Sequence, residues 1–174
     1  MAGTLFSRLD AHDRALFERW ALGHDGPLAR RHAWRVITHI GGTVCSVLAA
    51  TVPMSFGGAI GGAARQAFWT LLLSHLVVQL VKRTVGRPRP SRGMSMQALV
   101  AEPDRFSFPS GHAAASMSVA LMYGLAAPAL APLLLPLALV VGFSRVVLGV
   151  HYPGDVLVGQ AIAIATGLLV LAAG

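Results

Sequence analysis

The chain has 174 residues, of which 55% are hydrophobic and 12% charged, with a formal net charge of +7. At a mean hydropathy of +0.64 it is too apolar for an ordinary soluble domain of this length. Its single cysteine, Cys45, excludes a disulfide framework and a zinc cluster, and its basic residues sit in two blocks beside apolar runs, which fits anionic lipid headgroups better than nucleic acid.

Residues 1–35 contain six arginines and four acids. Leu5, Leu9, Leu16 and Trp20 share one helical face, with Phe6 and Phe17 beside it, so the segment predicts an amphipathic helix at a bilayer interface. The same stripe would serve a helix docked on the protein itself. No cleavable signal peptide is expected, because the first apolar run of useful length begins after Trp34. Residues 36–52 carry no Asp, Glu, Lys or Arg and end at Pro53, a first span at the lower length limit of about 17 residues. Gly57, Gly58, Gly61 and Gly62 predict a flexible connector or a close approach of two helices. A second span covers 66–81, between Arg65 and Lys82, and His75 within it reads as a buried, hydrogen-bonded structural histidine.

Residues 82–109 form a polar segment with six basic residues against two acids. A third span runs over 110–127. A fourth, 129–143, contains Pro132 and Pro136, which predict a kink or irregular backbone. A fifth runs over 156–173, after a turn at 149–154. Strand-type alternation is absent. The pattern predicts an all-α integral membrane bundle of about five transmembrane helices with an interfacial N-terminal helix, the whole chain 1–174 forming one membrane-embedded domain.

The chemistry collects at the ends of these spans. Phe108-Pro109-Ser110-Gly111-His112 opens the third span, where unpaired backbone N–H groups and the helix dipole suit an anion. Ser110 can cap and donate, Gly111 admits a ligand close to the backbone, and His112 can carry a proton. Charges at the edge of apolar spans are costly and mark function. Counting crossings puts Lys82, Arg89, Ser110, Gly111, His112, Arg145, His151 and Asp155 on one side of the membrane at one depth. Singly each has an ordinary reading: Lys82 as a snorkelling helix end, Asp155 as an N-cap, residues 152–154 as a turn. Together, cations, a helix N-terminus and two histidines make a site for a phosphate-like oxyanion. The carboxylate would orient one histidine.

Three motifs carry a resemblance. Lys82, six residues, then Arg89-Pro90; Pro109-Ser110-Gly111-His112; and Ser144-Arg145, five residues, His151, three residues, Asp155 are similar to the three signature motifs of the type 2 phosphatidic acid phosphatase family. The likeness covers residue 66 to the end. It implies that His151 attacks phosphorus to form a phosphohistidine, with Asp155 holding its ring. His112 would protonate the leaving lipid oxygen and then activate water. Lys82, Arg89, Arg145, Ser110 and Gly111 would bind the equatorial oxygens. No cofactor and no metal is implied, and the partners are the bilayer and a membrane lipid phosphate or diphosphate, such as a polyprenyl phosphate, phosphatidate or phosphatidylglycerol phosphate. By family spacing Arg89 rather than Arg87 meets phosphate; Arg83, Arg87, Arg92 and Arg105 are left for lipid headgroups or solvent. A vanadate-dependent haloperoxidase would use the same anion site, and a non-catalytic lipid-binding or lipid-translocating protein is a further alternative.

Family members resemble six-helix bundles with the site facing away from the cytoplasm, whereas this chain has room for five spans. Blocks 1–35 and 82–109 hold six basic residues each and the connectors at 53–64 and 124–132 hold none. The positive-inside rule then places the site at the cytoplasmic face of a bacterial inner membrane; a translocated or buried N-terminal helix would place it outside.

Overall fold

The computed structural model describes residues 2–94 and 96–174, with side chains from residue 10 onward. Among the described residues eight α-helices follow one another: α1 (Ala2–Trp20), α2 (Leu28–Ile40), α3 (Thr43–Thr51), α4 (Gly58–Val85), the single turn α5 (Pro90–Gly93), α6 (Gly111–Ala126), α7 (Ala131–Val147) and α8 (Pro153–Ala173). The described residues form no named strand, as the absence of alternation predicts. Three stretches, Leu28–Ser55, Pro128–Val147 and Pro153–Ala173, are long and apolar enough to cross a membrane. Between them α4, at 28 residues, rises about 42 Å.

The short α6 occupies the middle and packs on α4, α7 and α8. Its buried residues are small (Ala113, Ala114, Ser116, Ser118, Ala120 and Gly124, with Met117 and Met122), which lets neighbouring backbones approach. The facing stripe of α4 repeats the device with Gly61, Ala64, Ala67, Thr70 and Ser74, and the Ser74 and Ser118 hydroxyls pair at 3.0 Å. Large apolar side chains point outward instead, among them Leu76, Leu80, Leu133, Leu157 and Leu168. This inversion of a soluble core is what a hydrocarbon solvent selects.

Helix bounds differ from the sequence expectation for local reasons. The first apolar stretch starts earlier, at Leu28, and breaks at Gly41-Gly42. A Cβ on Gly41 would lie 2.3 Å from Val141 and 3.2 Å from the His112 carbonyl, so the break is a close approach to α6 and α7. The glycines at 58, 61 and 62 lie within α4 rather than in a loose connector. Pro136 is accommodated inside α7, which stays a single α-helix, while Pro128 starts a separate 3₁₀ turn. His75 is exposed, not buried. The N-terminal helix docks on the protein: Phe17 is wholly buried against Tyr152, Ala113, Val146 and Val156. Leu5, Phe6 and Leu9 lie outside the described side chains, and Trp20 keeps an edge contact with Phe143.

Another close approach joins α8 to the start of α6. A Cβ on Gly159 would meet the Ser110 carbonyl oxygen at 2.4 Å. Gly159→Ala is expected to lower the thermal midpoint of the detergent-solubilised protein, with an overpacking cost of roughly 1–3 kcal/mol. Gly57→Ala, where the added carbon meets nothing within 4 Å, should leave the midpoint unchanged.

Candidate active site

The polar ends of α4, α6, α7 and α8 meet at one end of the bundle. Ser110 caps α6 by accepting a hydrogen bond from the Ala113 N–H (3.5 Å), and its own N–H donates to the Asp155 carbonyl (2.9 Å). The N-termini of α6 and α8 are thereby tied together. After α7 the chain turns through Gly149, whose φ of +78° suits glycine. The N–H groups of Val150 and His151 then both donate to the Arg145 carbonyl, at 3.1 and 3.2 Å. That turn holds the His151 backbone against the end of α7.

The imidazole lies between a carboxylate and a guanidinium. His151 Nδ1 stands 3.6 Å from Asp155 Oδ2, slightly longer than a hydrogen bond. Its Nε2 stands 3.4 Å from Arg89 Nη1. Burial drives the His151 pKa down to about 4, against the opposing pull of Asp155. The ring is therefore neutral at pH 7. With its proton on Nδ1, the Nε2 lone pair is available.

Three buried cations surround this point. Arg89, with no exposed surface, donates to the Val150 carbonyl (2.8 Å), the Asp104 carbonyl (2.7 Å) and Asp104 Oδ1 (3.0 Å). Lys82 Nζ donates to both Asp104 carboxylate oxygens (3.2 and 3.0 Å) and to the Phe106 carbonyl (3.0 Å). Arg145 donates from Nη1 to Thr38 Oγ1 at 2.6 Å, while its buried Nε has no partner among the described residues. Burial raises the Asp104 carboxyl, but Lys82 and Arg89 outweigh that and hold its pKa below the ordinary value.

Lys82, Arg89, Gly111, His112 and His151 all line one cavity of about 330 Å³, and Asp104 sits on its wall between the two cations. Of the residues expected at the site, Ser110, Arg145 and Asp155 stand behind this wall rather than on it. Ser110 supports the α6 terminus and Asp155 supports His151. Sequence reasoning missed Asp104. Its signal was there, as one of only two acids in a strongly basic loop.

Arg87 corrects a further expectation, because its guanidinium is spent on carboxylates within the protein. Its Nη1 donates to Asp155 Oδ1 and Asp13 Oδ2, and its Nη2 to Asp10 Oδ1, all at 2.7 Å. Its guanidinium also stacks over Tyr152, 4.0 Å from the ring centroid. Asp13 in turn accepts from the Gly154 N–H at 2.7 Å. The carboxylate that faces His151 is thus clamped from its other side by the N-terminal helix. Arg83, Arg92 and Arg105 are exposed, as expected.

The chain is thus a helical bundle with three buried cations and two histidines gathered at the ends of apolar helices. Residues 63–173 match the PAP2 superfamily, and the chain belongs to it. It is 38% identical over 120 residues to the decaprenylphosphoryl-5-phosphoribose phosphatase of Mycobacterium tuberculosis, which covers 65% of this chain and 65% of that protein. The chain thus spans just under two thirds of that relative's length. The fold is similar to that of LpxE from Aquifex aeolicus, with a TM-score of 0.78 at 22% identity over 90% of this chain and 93% of that one. It is also similar to a transmembrane PAP2-type phosphatidylglycerolphosphate phosphatase from Bacillus subtilis, with a TM-score of 0.75 at 23% identity over 95% and 85%. With three stretches able to cross a bilayer and the fold of transmembrane proteins, the chain is an integral membrane protein.

Arg87→Met would leave Asp10, Asp13 and Asp155 without their shared cation. Asp10 is largely solvated, so the loss falls on the Asp13 and Asp155 contacts and costs about 1–3 kcal/mol. The expected outcome is undocking of α1, read as rapid protease cleavage in the 21–27 connector, which the parent chain resists.

Proposed function

We propose that this protein is a metal-independent lipid phosphate phosphatase working through a phosphohistidine. The observation that carries the reading is the wall of one cavity, where two histidines and two buried cations meet and the remaining surface is largely apolar. Family membership and the phosphatase names of its relatives support it.

His151 Nε2 attacks phosphorus while the bond to the lipid oxygen breaks, and His112 gives that oxygen its proton. Neutral His112 then takes a proton from water, whose oxygen displaces the histidine and frees phosphate. Asp155 keeps the His151 proton on Nδ1 and stabilises the ring as it becomes positive. Lys82 and Arg89 bind the phosphoryl oxygens, with backbone N–H groups at the start of α6, and Arg145 adds positive charge from behind. Asp104 holds the Lys82 and Arg89 side chains in place and yields their donors to the entering phosphate. The tail stays in the bilayer, in keeping with a site at the end of apolar helices.

In a phosphate-release assay over a panel of lipid phosphates with chelator present, the parent chain is expected to be active. His151→Ala should reduce turnover by roughly 10³-fold or more. Turnover that persists in that variant, or activity that requires a divalent metal, would sink the mechanism.

The catalytic end shares its side of the membrane with α1, since Asp13 bonds Gly154 and Arg87. With two basic blocks there, the positive-inside rule supports a cytoplasmic site. A Gln97→Cys variant made in a Cys45→Ser chain should resist an impermeant thiol reagent in intact cells and react once they are opened. Labelling of intact cells would place the site outside.

A further inference from the structure

The cations around the phosphate site are held in two different ways. Lys82 and Arg89 both pair with Asp104, whose carboxylate offsets part of their charge while it holds them. Arg145 has no carboxylate within ion-pair distance among the described residues. Its side-chain hydrogen bond runs from Nη1 to Thr38 Oγ1 at 2.6 Å, and both residues are 2% exposed.

Thr38 belongs to α2 and so lies outside residues 63–173, the part of the chain that matches the PAP2 superfamily. Packing puts its hydroxyl where it is. Helix α2 lies against α7, which carries Arg145 in its last turn. Three residues after Thr38, Gly41 sits so close to Val141 of α7 and the His112 carbonyl of α6 that a methyl group there would clash. The end of α2 is therefore wedged between the helix that bears Arg145 and the helix that bears His112.

A guanidinium offers five N–H donors. On Arg145 the buried Nε has no partner among the described residues, and Thr38 takes one of the rest. A pocket arranged only to keep a buried cation stable would supply a carboxylate. A hydroxyl does something different. It fixes the direction of the planar fork, cancels none of its charge, and leaves the other donors uncommitted. The Arg145 backbone is already fixed, because its carbonyl accepts from the Val150 and His151 N–H groups. What remains to be chosen is the side-chain rotamer, and Thr38 is the polar contact that chooses it.

Resting on the phosphatase reading above, we propose that Thr38 is a positioning residue that aims Arg145 at the transferring phosphoryl group and, being neutral, leaves its positive charge undiminished for the oxyanion. Thr38 touches no substrate. Its effect passes wholly through Arg145.

The test titrates orthovanadate, a tetrahedral oxyanion of phosphate's shape, into the purified full-length chain by calorimetry. Stoichiometry then reports how much protein is folded, and Kd is independent of it. Thr38→Val keeps the shape and removes the hydroxyl, and should raise Kd about tenfold, the scale of one hydrogen bond to a charged group. Thr38→Ser, which restores the hydroxyl, should bind within about twofold of the parent. Arg145→Met should weaken binding at least as much as Thr38→Val. In that background Thr38→Val should change Kd by less than about twofold, because residues acting through one contact are not additive. Thr51→Val, whose hydroxyl bonds within its own helix, should leave Kd unchanged. If Thr38→Val shows no folded fraction, Thr38→Ala gives the same comparison. An unchanged Kd in the hydroxyl-free variant, no rescue by serine, or the same penalty in the Arg145→Met background overturns the proposal and leaves the phosphatase reading intact. A parent chain that neither binds vanadate nor releases phosphate from any lipid overturns both.

Discussion

Cations withdrawn from water need oxygen around them, and the catalytic end of this bundle is shaped by that need. Lys82, Arg89 and Arg145 are all buried. Each would cost several kcal/mol if isolated. Arg89 reaches back to Asp104 in its own loop and across to the Val150 carbonyl, so one side chain fixes both the long polar segment and the turn that carries His151. Lys82 reads the same carboxylate from α4. The loop is further closed by the Ser107 N–H donating to the Arg87 carbonyl. Further along, the Leu99 N–H donates to the Leu148 carbonyl and Leu99 packs against Leu22 and Val147, so the cations act together with backbone and apolar contacts to hold the loop over the helix ends.

A second carboxylate organises the opposite side. Asp155, in the first turn of α8, accepts from the Tyr152 N–H at 2.8 Å, faces His151 and binds Arg87. Its position at a helix N-terminus is favourable for a negative charge. Its three neighbours fix its rotamer, so the imidazole is oriented by a group that is itself immobile. The two carboxylates therefore divide the work: Asp104 gathers the cations, and Asp155 aims the ring.

Much of this was legible in the sequence. The runs of apolar residues give the helices, and the invariable logic of charge at span ends gives Lys82, Arg89, His112, His151 and Asp155. What could not be read was which charges pair. Arg87 and Arg89 are two residues apart in a basic run, and only the folded loop sends one to α1 and the other to the cavity. Asp10 and Asp13 look like the polar face of an interfacial helix, because their partner is more than 70 residues away. His75 looks like a core histidine because it sits within an apolar run, and the cavity beside it forms only when α3, α6 and the polar segment pack against α4. Local pattern fixes elements; long-range ion pairs and cavities emerge only when the elements pack.

The contact between Asp13 and Gly154 joins positions 141 residues apart. A helix made early thus closes over the start of one made much later. During synthesis the carboxylate beside His151 cannot receive its outer clamp until α8 has left the ribosome and settled against its neighbours. Assembly of this corner is thereby coupled to insertion of α8, and a chain truncated before α8 leaves Asp13 without its Gly154 partner and Arg87 without Asp155.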